Sequence, residues 1–276
     1  MFDRKIGIIG GGNMARSLVG GLTERGLAPR LITVADPVAA QRDELRSRWK
    51  VGSSGDNRDA VRGAAVVVFA VKPQTMGTVA TEVASDLRAS GAVALSIAAG
   101  IRVADLARWL GESVPVVRSM PNRPALIGRG ISALYADARV SAAARSDAEA
   151  VLSAVGATLW VEEESMLDTV TAVSGSGPAY FFLLMELLEA AGRELGLPAG
   201  AARQLSIETA YGAACMAHAG IEDPATLREQ VTSRGGTTAA ALAVFAAADL
   251  AGIVRRAVTA AAHRSAELAA SYGPSA

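Results

Sequence analysis

Through Val161 the chain alternates short apolar runs with segments whose apolar positions recur at helical spacing. Lys5 to Ile9 is a β-branched run that stops at Gly10, and Leu31 to Ala35 repeats it. Between them, Met14, Leu18, Val19 and Leu22 mark one face of a helix over Asn13 to Arg25, and Val38 to Trp49 reads as a second helix. Ala65 to Ala70 is apolar at nearly every position, as a strand covered on both faces should be. Ala92–Ile97, Val114–Ser119 and Ile131–Tyr135 have the same character, and a helix over Ser141–Val155 and a strand over Thr158–Val161 end the series. This order predicts an α/β fold, a doubly wound and mainly parallel sheet with helices on both faces.

Beyond residue 162 strand signals cease. Glu163–Val173, Ala179–Leu195, Ala199–His218, Thr226–Val231 and Thr237–Ser271 all favour helix, with breaks at Gly196-Leu197-Pro198 and at Asp249. The change predicts two domains, residues 1–161 and an all-α carboxyl-terminal domain of residues 162–276. The stretch from Tyr180 through Leu188 is apolar on almost every side and lacks the polar stripe of a surface helix. Such a helix needs cover on several sides. A second subunit is the expected cover, and a central core helix within one subunit is the alternative.

Composition narrows the setting. The 276 residues carry 27 basic and 27 acidic side chains, so there is no general electrostatic reason to bind nucleic acid or an anionic membrane. Cys215 is the only cysteine, which excludes a disulfide within the chain and fits a reducing cytoplasm. The start, Met1-Phe2-Asp3-Arg4-Lys5, lacks the apolar stretch of a signal peptide. The apolar run Ala179–Leu188 contains Glu186 and is too short to cross a bilayer. Cytoplasmic localisation is expected.

Chemistry first becomes legible at Gly10-Gly11-Gly12-Asn13-Met14-Ala15, which fits G-x-G-x-x-A between a strand and a helix. Gly10 permits the tight turn, Gly12 lets the backbone approach a pyrophosphate, and Ala15 lets the helix pack on the strand. The helix start offers free N–H groups to the phosphates. The first domain therefore reads as Rossmann-like and dinucleotide-binding. Asp36 closes the second strand. A carboxylate there accepts from the ribose hydroxyl of NAD and repels the 2′-phosphate of NADP, whereas Arg42 on the next helix offsets that repulsion; Asp36 also reads as a helix cap. The choice between NAD and NADP stays open. Ala70-Val71-Lys72-Pro73 and Ser96 to Gly100, including Ala98 and Ala99, follow buried strands at the sheet edge where ligands bind, with Lys72 given only a positional role.

The residues that are missing are informative. Reduction of a ketone develops an alkoxide and calls for a proton donor. The chain has three lysines, Lys5, Lys50 and Lys72, and its histidines are His218 near a helix end and His263 in an alanine-rich helix. A protonated imine is already cationic, and hydride addition neutralises it. The scarcity of donors favours C=N over C=O reduction, although four tyrosines remain. In the helical half, Ser233-Arg234-Gly235-Gly236-Thr237-Thr238 opens a long helix with converging N–H groups and hydroxyls, a good carboxylate site.

Taken together, Ile9–Ala15, Ala70–Pro73, Arg118–Gly130, Ser174–Tyr180 and Thr232–Thr238 resemble the corresponding segments of the pyrroline-5-carboxylate reductases, along nearly the whole chain. The resemblance implies NAD(P)H-dependent reduction of the cyclic imine 1-pyrroline-5-carboxylate to L-proline, the last step of proline biosynthesis. It implies cofactor contacts from Gly10 to Ala15, Asn57 and Ala70 to Pro73, and places Met120, Pro121 and Asn122 near the nicotinamide. It assigns Glu164, Gly175, Ser176, Gly177, Pro178 and the Ser233–Thr238 segment to the substrate pocket, with the Thr238 hydroxyl nearest the ring nitrogen as the catalytic group. No residue is assigned to a metal. The family's helical domain forms an interlocked homodimer, often assembled into a decamer. Two positions depart from the family's pattern: Arg234 replaces a usual proline, and Arg123 a common threonine.

Two other classes share part of this pattern. A β-hydroxyacid dehydrogenase has the same two-domain plan but uses a lysine in the helical half, where this chain has none. A non-catalytic NAD(P)H sensor would not need the hydroxyl-rich turn.

Overall fold

The computed structural model describes residues 3–272. Met1 and Phe2, at the start of the segment read for a leader, and residues 273–276, the tail of the helical half, lie outside the described residues. The first part runs β1 (Ile6–Ile9), α1 (Asn13–Glu24), β2 (Ile32–Ala35), α2 (Ala39–Trp49), β3 (Gly52–Ser54), α3 (Asn57–Val61), β4 (Val66–Phe69), α4 (Pro73–Ser90), β5 (Val93–Ser96) and α5 (Val103–Leu110). It continues through β6 (Val116–Pro121), β7 (Gly130–Ala136), α6 (Ala142–Ser153) and β8 (Gly156–Trp160). These strands form one sheet in the order β3-β2-β1-β4-β5-β6-β7-β8.

Every neighbouring pair is parallel except β6 and β7. The link between those two holds only a 3-10 turn at Arg123–Ile127, too little chain for a crossover, so β7 must return antiparallel. The sequence also did not reveal β3, a Gly-Ser-Ser edge strand without β-branched residues that pairs through Thr33 and Gly52. Both faces of the sheet are covered, as the apolar strands require. Ile6 and Ile8 pack with Leu18, Val19 and Leu22 of α1 and with Val151 and Leu152 of α6. Ile9 and Phe69 pack on the other side with Met76, Val83 and Leu87 of α4 and with Leu106 and Leu110 of α5. The strand order reverses between β1 and β4, which places a ligand crevice at their carboxyl ends.

The helical part runs α7 (Met166–Val170), α8 (Gly177–Glu194), α9 (Ala199–His218), α10 (Pro224–Gln230), α11 (Thr237–Ala247) and α12 (Leu250–Tyr272). The helix expected over Glu163–Val173 is shorter. It widens into a π-helical turn over Thr171–Gly175, where the Ser176 N–H reaches the Thr171 carbonyl at 2.8 Å. The break expected at Asp249 is present, with φ of 52° there and a bend of 56° between α11 and α12. No single helix among the described residues is long and apolar enough to cross a membrane.

Packing divides the chain elsewhere than the change from strands to helices. One unit comprises the chain up to Ser176 and rejoins it from Ala260; the other is Gly177–Thr259. The reason is burial. Leu167 and Ala172 are fully buried in the first unit, and Ser265 of α12 donates to the Asp168 carboxylate at 2.6 Å. The last strand ends at Trp160, near the expected boundary, yet α7 and the end of α12 belong with the sheet. In α8, Phe181, Phe182, Leu183, Leu184, Leu187 and Leu188 are all exposed on the single chain, so α8 is not a core helix of its own subunit.

Candidate functional site

The turn after β1 is pressed against the end of β4. Gly10 has φ of 101°, and a Cβ on it would sit 2.6 Å from the Ala70 carbonyl oxygen, so only glycine fits. The Gly10 N–H bonds the Ala35 carbonyl at 2.8 Å. Gly12 caps α1 without a side-chain partner, and a Cβ built there meets nothing within 4 Å. Ala15 is fully buried, Met14 packs against the core and Asn13 is exposed. Open space over an uncapped helix start is what a pyrophosphate needs, and a dinucleotide fits here.

Asp36 organises this turn. Its Oδ2 accepts the Gly11 N–H at 2.7 Å, and its Oδ1 accepts the Val38 N–H at 2.8 Å. Arg42 wraps back to donate to the carbonyls of Asp36 and Pro37 at 2.7 and 2.9 Å. The carboxylate is therefore fixed at the end of β2, where an adenosine ribose lies in such sheets. Asn57 opens α3 behind the Asp56 cap, and its amide donates to Glu82 Oε2 at 2.9 Å.

Further along the same edge, Pro73 opens α4 with Lys72 as its exposed cap residue, and Val71 is half-buried beside the core. One strand over, the Ser96 hydroxyl accepts the Ala98 N–H at 3.3 Å, and Ser119 donates to the Ser96 carbonyl at 3.0 Å. Ala98 is buried, Ala99 exposed, and Gly100 has φ of 79°.

Two links hold the end of β6. Asn122 donates to the Ser174 carbonyl at 3.2 Å and accepts the Ile131 N–H at 2.9 Å, which joins the β6–β7 link to the π-helical turn. Met120 approaches that turn so closely that a Cβ on Gly175 would lie 2.7 Å from its terminal methyl. Pro121 is buried beside them. The second link was not read from the sequence. Buried Arg118 donates through Nη1 to Glu164 Oε1 at 2.9 Å, and the same oxygen accepts the Val103 N–H at 2.8 Å. Glu164 thus caps α5 and neutralises a buried cation. The signal was available: an arginine stands between Val116-Val117 and Ser119 inside an apolar strand.

The second unit holds the hydroxyl-rich turn. Asp223 caps α10; hydrogen bonds from the Thr226 N–H, its hydroxyl and the Ala225 N–H hold the Asp223 carboxyl below the usual carboxylate range. After α10, the Gly236 N–H bonds the Ser233 carbonyl at 3.0 Å and Gly235 adopts φ of 72°. A side chain on Gly236 would collide with the Ser233 hydroxyl, which explains the pair of glycines. Gly236 caps α11 without a side-chain bond, so Thr237 and half-buried Thr238 begin the helix beside its free N–H groups. Arg234 is exposed at the apex. Gly177 and Pro178 open α8 in this unit, whereas Glu164, Gly175 and Ser176 belong to the first.

Comparison with known proteins agrees with this arrangement. Residues 164–268 match a family model described as pyrroline-5-carboxylate reductase dimerisation, and residues 5–100 match one described as coenzyme F420-dependent NADP oxidoreductase. A pyrroline-5-carboxylate reductase of Pseudomonas aeruginosa is 48% identical over 273 residues, covering 99% of this chain and 100% of that one. The structure of a pyrroline-5-carboxylate reductase from Coxiella burnetii superimposes with a TM-score of 0.94 at 37% identity, covering 97% and 99% of the two chains. That of the Plasmodium falciparum pyrroline carboxylate reductase, with NADP bound, gives 0.84 at 26% identity over 98% and 99%. With full-length identity of this order, spanning both the dinucleotide turn and the hydroxyl turn, the chain belongs to the pyrroline-5-carboxylate reductase family.

Proposed function

We propose that this chain reduces 1-pyrroline-5-carboxylate to L-proline with NAD(P)H, the closing step of proline biosynthesis. The observation that carries the reading is the co-occurrence of two anion-binding helix starts in one chain of this family. One is the open Gly10–Ala15 turn, suited to a pyrophosphate, and the other the Ser233–Thr238 turn, suited to one carboxylate.

The Gly10–Ala15 turn would hold a nicotinamide dinucleotide, which when bound would supply the hydride for the carbon of the protonated C=N bond, the π electrons becoming the nitrogen lone pair. The chain's own residues bind and orient. The N–H groups at Gly235 and Thr237 hold the substrate carboxylate, the Gly236 N–H being taken by the Ser233 carbonyl, and the Thr238 hydroxyl orients the ring nitrogen. Met120, Pro121 and Asn122 flank the nicotinamide end, fixed by Asn122 to the Ser174 carbonyl. The cationic imine needs no strong acid, in keeping with a helical unit that contains no lysine.

The dimerisation match and the exposed apolar face of α8 support an assembly of identical subunits; the finer reading is an interlocked dimer, assembled further into a decamer. The single cysteine supports work in a reducing cytoplasm, and the balance of 27 basic and 27 acidic side chains supports the reading without nucleic acid or membrane partners.

One assay tests the activity. NADH and NADPH oxidation is followed with the pyrroline, with a hydroxyacid-derived aldehyde, and with neither. Turnover confined to the pyrroline is expected. Turnover of the aldehyde would point to the β-hydroxyacid class, and binding without turnover to a sensor.

A further inference from the structure

The last turn of α12 does something that the proposed reaction does not require of it. Its Tyr272 reaches the carboxyl edge of the sheet and touches two loops at once. The Tyr272 hydroxyl accepts a hydrogen bond from the Gln74 amide at 3.1 Å, across a sequence separation of 198 residues. Gln74 lies in the first turn of α4, directly after Val71-Lys72-Pro73. The ring of Tyr272 covers Gly100: a Cβ built on that glycine would lie 3.3 Å from two ring carbons, and 3.6 Å from the Ala269 Cα.

The docking is not incidental to the helix end. Ala269 is 1% exposed, and Tyr272 packs against the core cluster that contains Phe69, Met76 and Ile101. One turn earlier, Ser265 is tied to Asp168 at 2.6 Å. Strands β4 and β5 hold each other as far as the Ile97 N–H and the Phe69 carbonyl, at 3.3 Å. Past that bond the Val71-Lys72 link into the first turn of α4 and the loop Ala98–Gly100 leave the sheet, and Tyr272 spans them with a hydrogen bond to Gln74 on one side and a ring face on the other. Gly100 permits the contact, since its φ of 79° favours glycine and a Cβ there would press on the ring.

We propose that Tyr272 is a positioning residue for the cofactor: a clasp that holds the β4–α4 and β5–α5 loops at the spacing the nicotinamide half of NAD(P)H requires. This rests on the cofactor reading given above. Tyr272 needs no contact with the cofactor. It lowers the entropy of the two loops before binding, and its loss returns that cost to the binding equilibrium.

The test uses the full-length protein without substrate. Dissociation constants for NADH and NADPH are measured by calorimetry for the wild type, Tyr272→Ala, Tyr272→Phe, Gln74→Ala and the double variant Tyr272→Phe/Gln74→Ala. Tyr272→Ala is expected to weaken binding about tenfold, and Tyr272→Phe and Gln74→Ala about threefold each, as loss of one modest hydrogen bond implies. The double variant should be no weaker than either single change, because both remove the same bond. In the cofactor-free protein, amide exchange at residues 71–75 and 98–101 should quicken in Tyr272→Ala.

Unchanged dissociation constants with only a lower melting temperature would overturn the clasp and leave Tyr272 as core filling. Additive losses in Tyr272→Phe and Gln74→Ala would overturn the shared bond, even were Tyr272→Ala unable to fold. A wild type that binds neither NADH nor NADPH would overturn the cofactor reading and the clasp with it, an outcome distinct from both of the others.

Discussion

Arg118 and Glu164, 46 residues apart, form an ion pair at 2.9 Å in which the arginine is only 5% exposed. The same Glu164 oxygen caps α5 through the Val103 N–H. One carboxylate therefore fixes the strand that carries Met120 and Pro121 and leads into Asn122, and the helix that follows Ala98 to Gly100. Removing one partner of such a pair leaves a buried charge without compensation. Glu164→Ala is expected to cost about 3 kcal/mol of stability, read from urea unfolding. Glu164→Gln should cost less, since its amide oxygen still accepts both N–H groups. In a double-mutant cycle, Arg118→Met should recover part of the Glu164→Ala loss. An unfolding midpoint for Glu164→Ala equal to that of the wild type would show that the pair holds nothing in place.

Asp36 predicts the cofactor balance. Its two oxygens are held by Gly11 and Val38, which keeps a negative charge at the ribose end of the crevice. Both NADH and NADPH should support turnover, because Arg42 lies against the same turn with the opposite charge. Asp36→Ser should raise the NADPH to NADH ratio of kcat/KM by about tenfold, by removing that repulsion. Steady-state rates with each cofactor give the ratio. If it does not move, the carboxylate only organises the turn and does not reach the ribose.

Thr238 is expected to act on kcat more than on cofactor binding. Thr238→Ala should lower the rate roughly tenfold to a hundredfold, the value of one orienting hydrogen bond of about 1–3 kcal/mol in the transition state. Thr238→Ser should restore much of it. Equal impairment of the two variants would assign the effect to the methyl group and its packing. Full activity in both would leave Thr238 as a helix-start residue only.

Leu184 tests the assembly. It lies exposed in α8 among Phe181, Leu187 and Leu188. Leu184→Arg should dissociate or misfold the protein, because a subunit interface there would bury an unpaired charge. Light scattering on the wild type should report a dimer or larger. A stable wild-type monomer at low micromolar concentration would remove the interface.

Much of this architecture is local and could be read directly. Ile6 to Ile9 and Val66 to Phe69 announce buried strands because a strand covered on both faces must be apolar at every position. Gly10 announces its turn because only glycine adopts φ of 101° without strain, and Gly235, with φ of 72°, announces the second turn in the same way. The break at Asp249 was also legible, as was the apolar surface of α8.

What the tertiary structure decided is of another kind. The reversal at β7 follows from a link too short to cross over, and β3 exists only because β2 offers it an edge. The boundary at Ser176 was set by the burial of Leu167, Ala172 and Ala269, not by the change from strand to helix. Arg118 finds Glu164, and Tyr272 finds Gln74 and Gly100, only once the sheet has brought their segments together. Periodicity and turn chemistry report the environment of a residue within a few positions of itself. A pairing across 46 or 198 residues leaves no such mark, because the partners share a place in the fold and not in the chain.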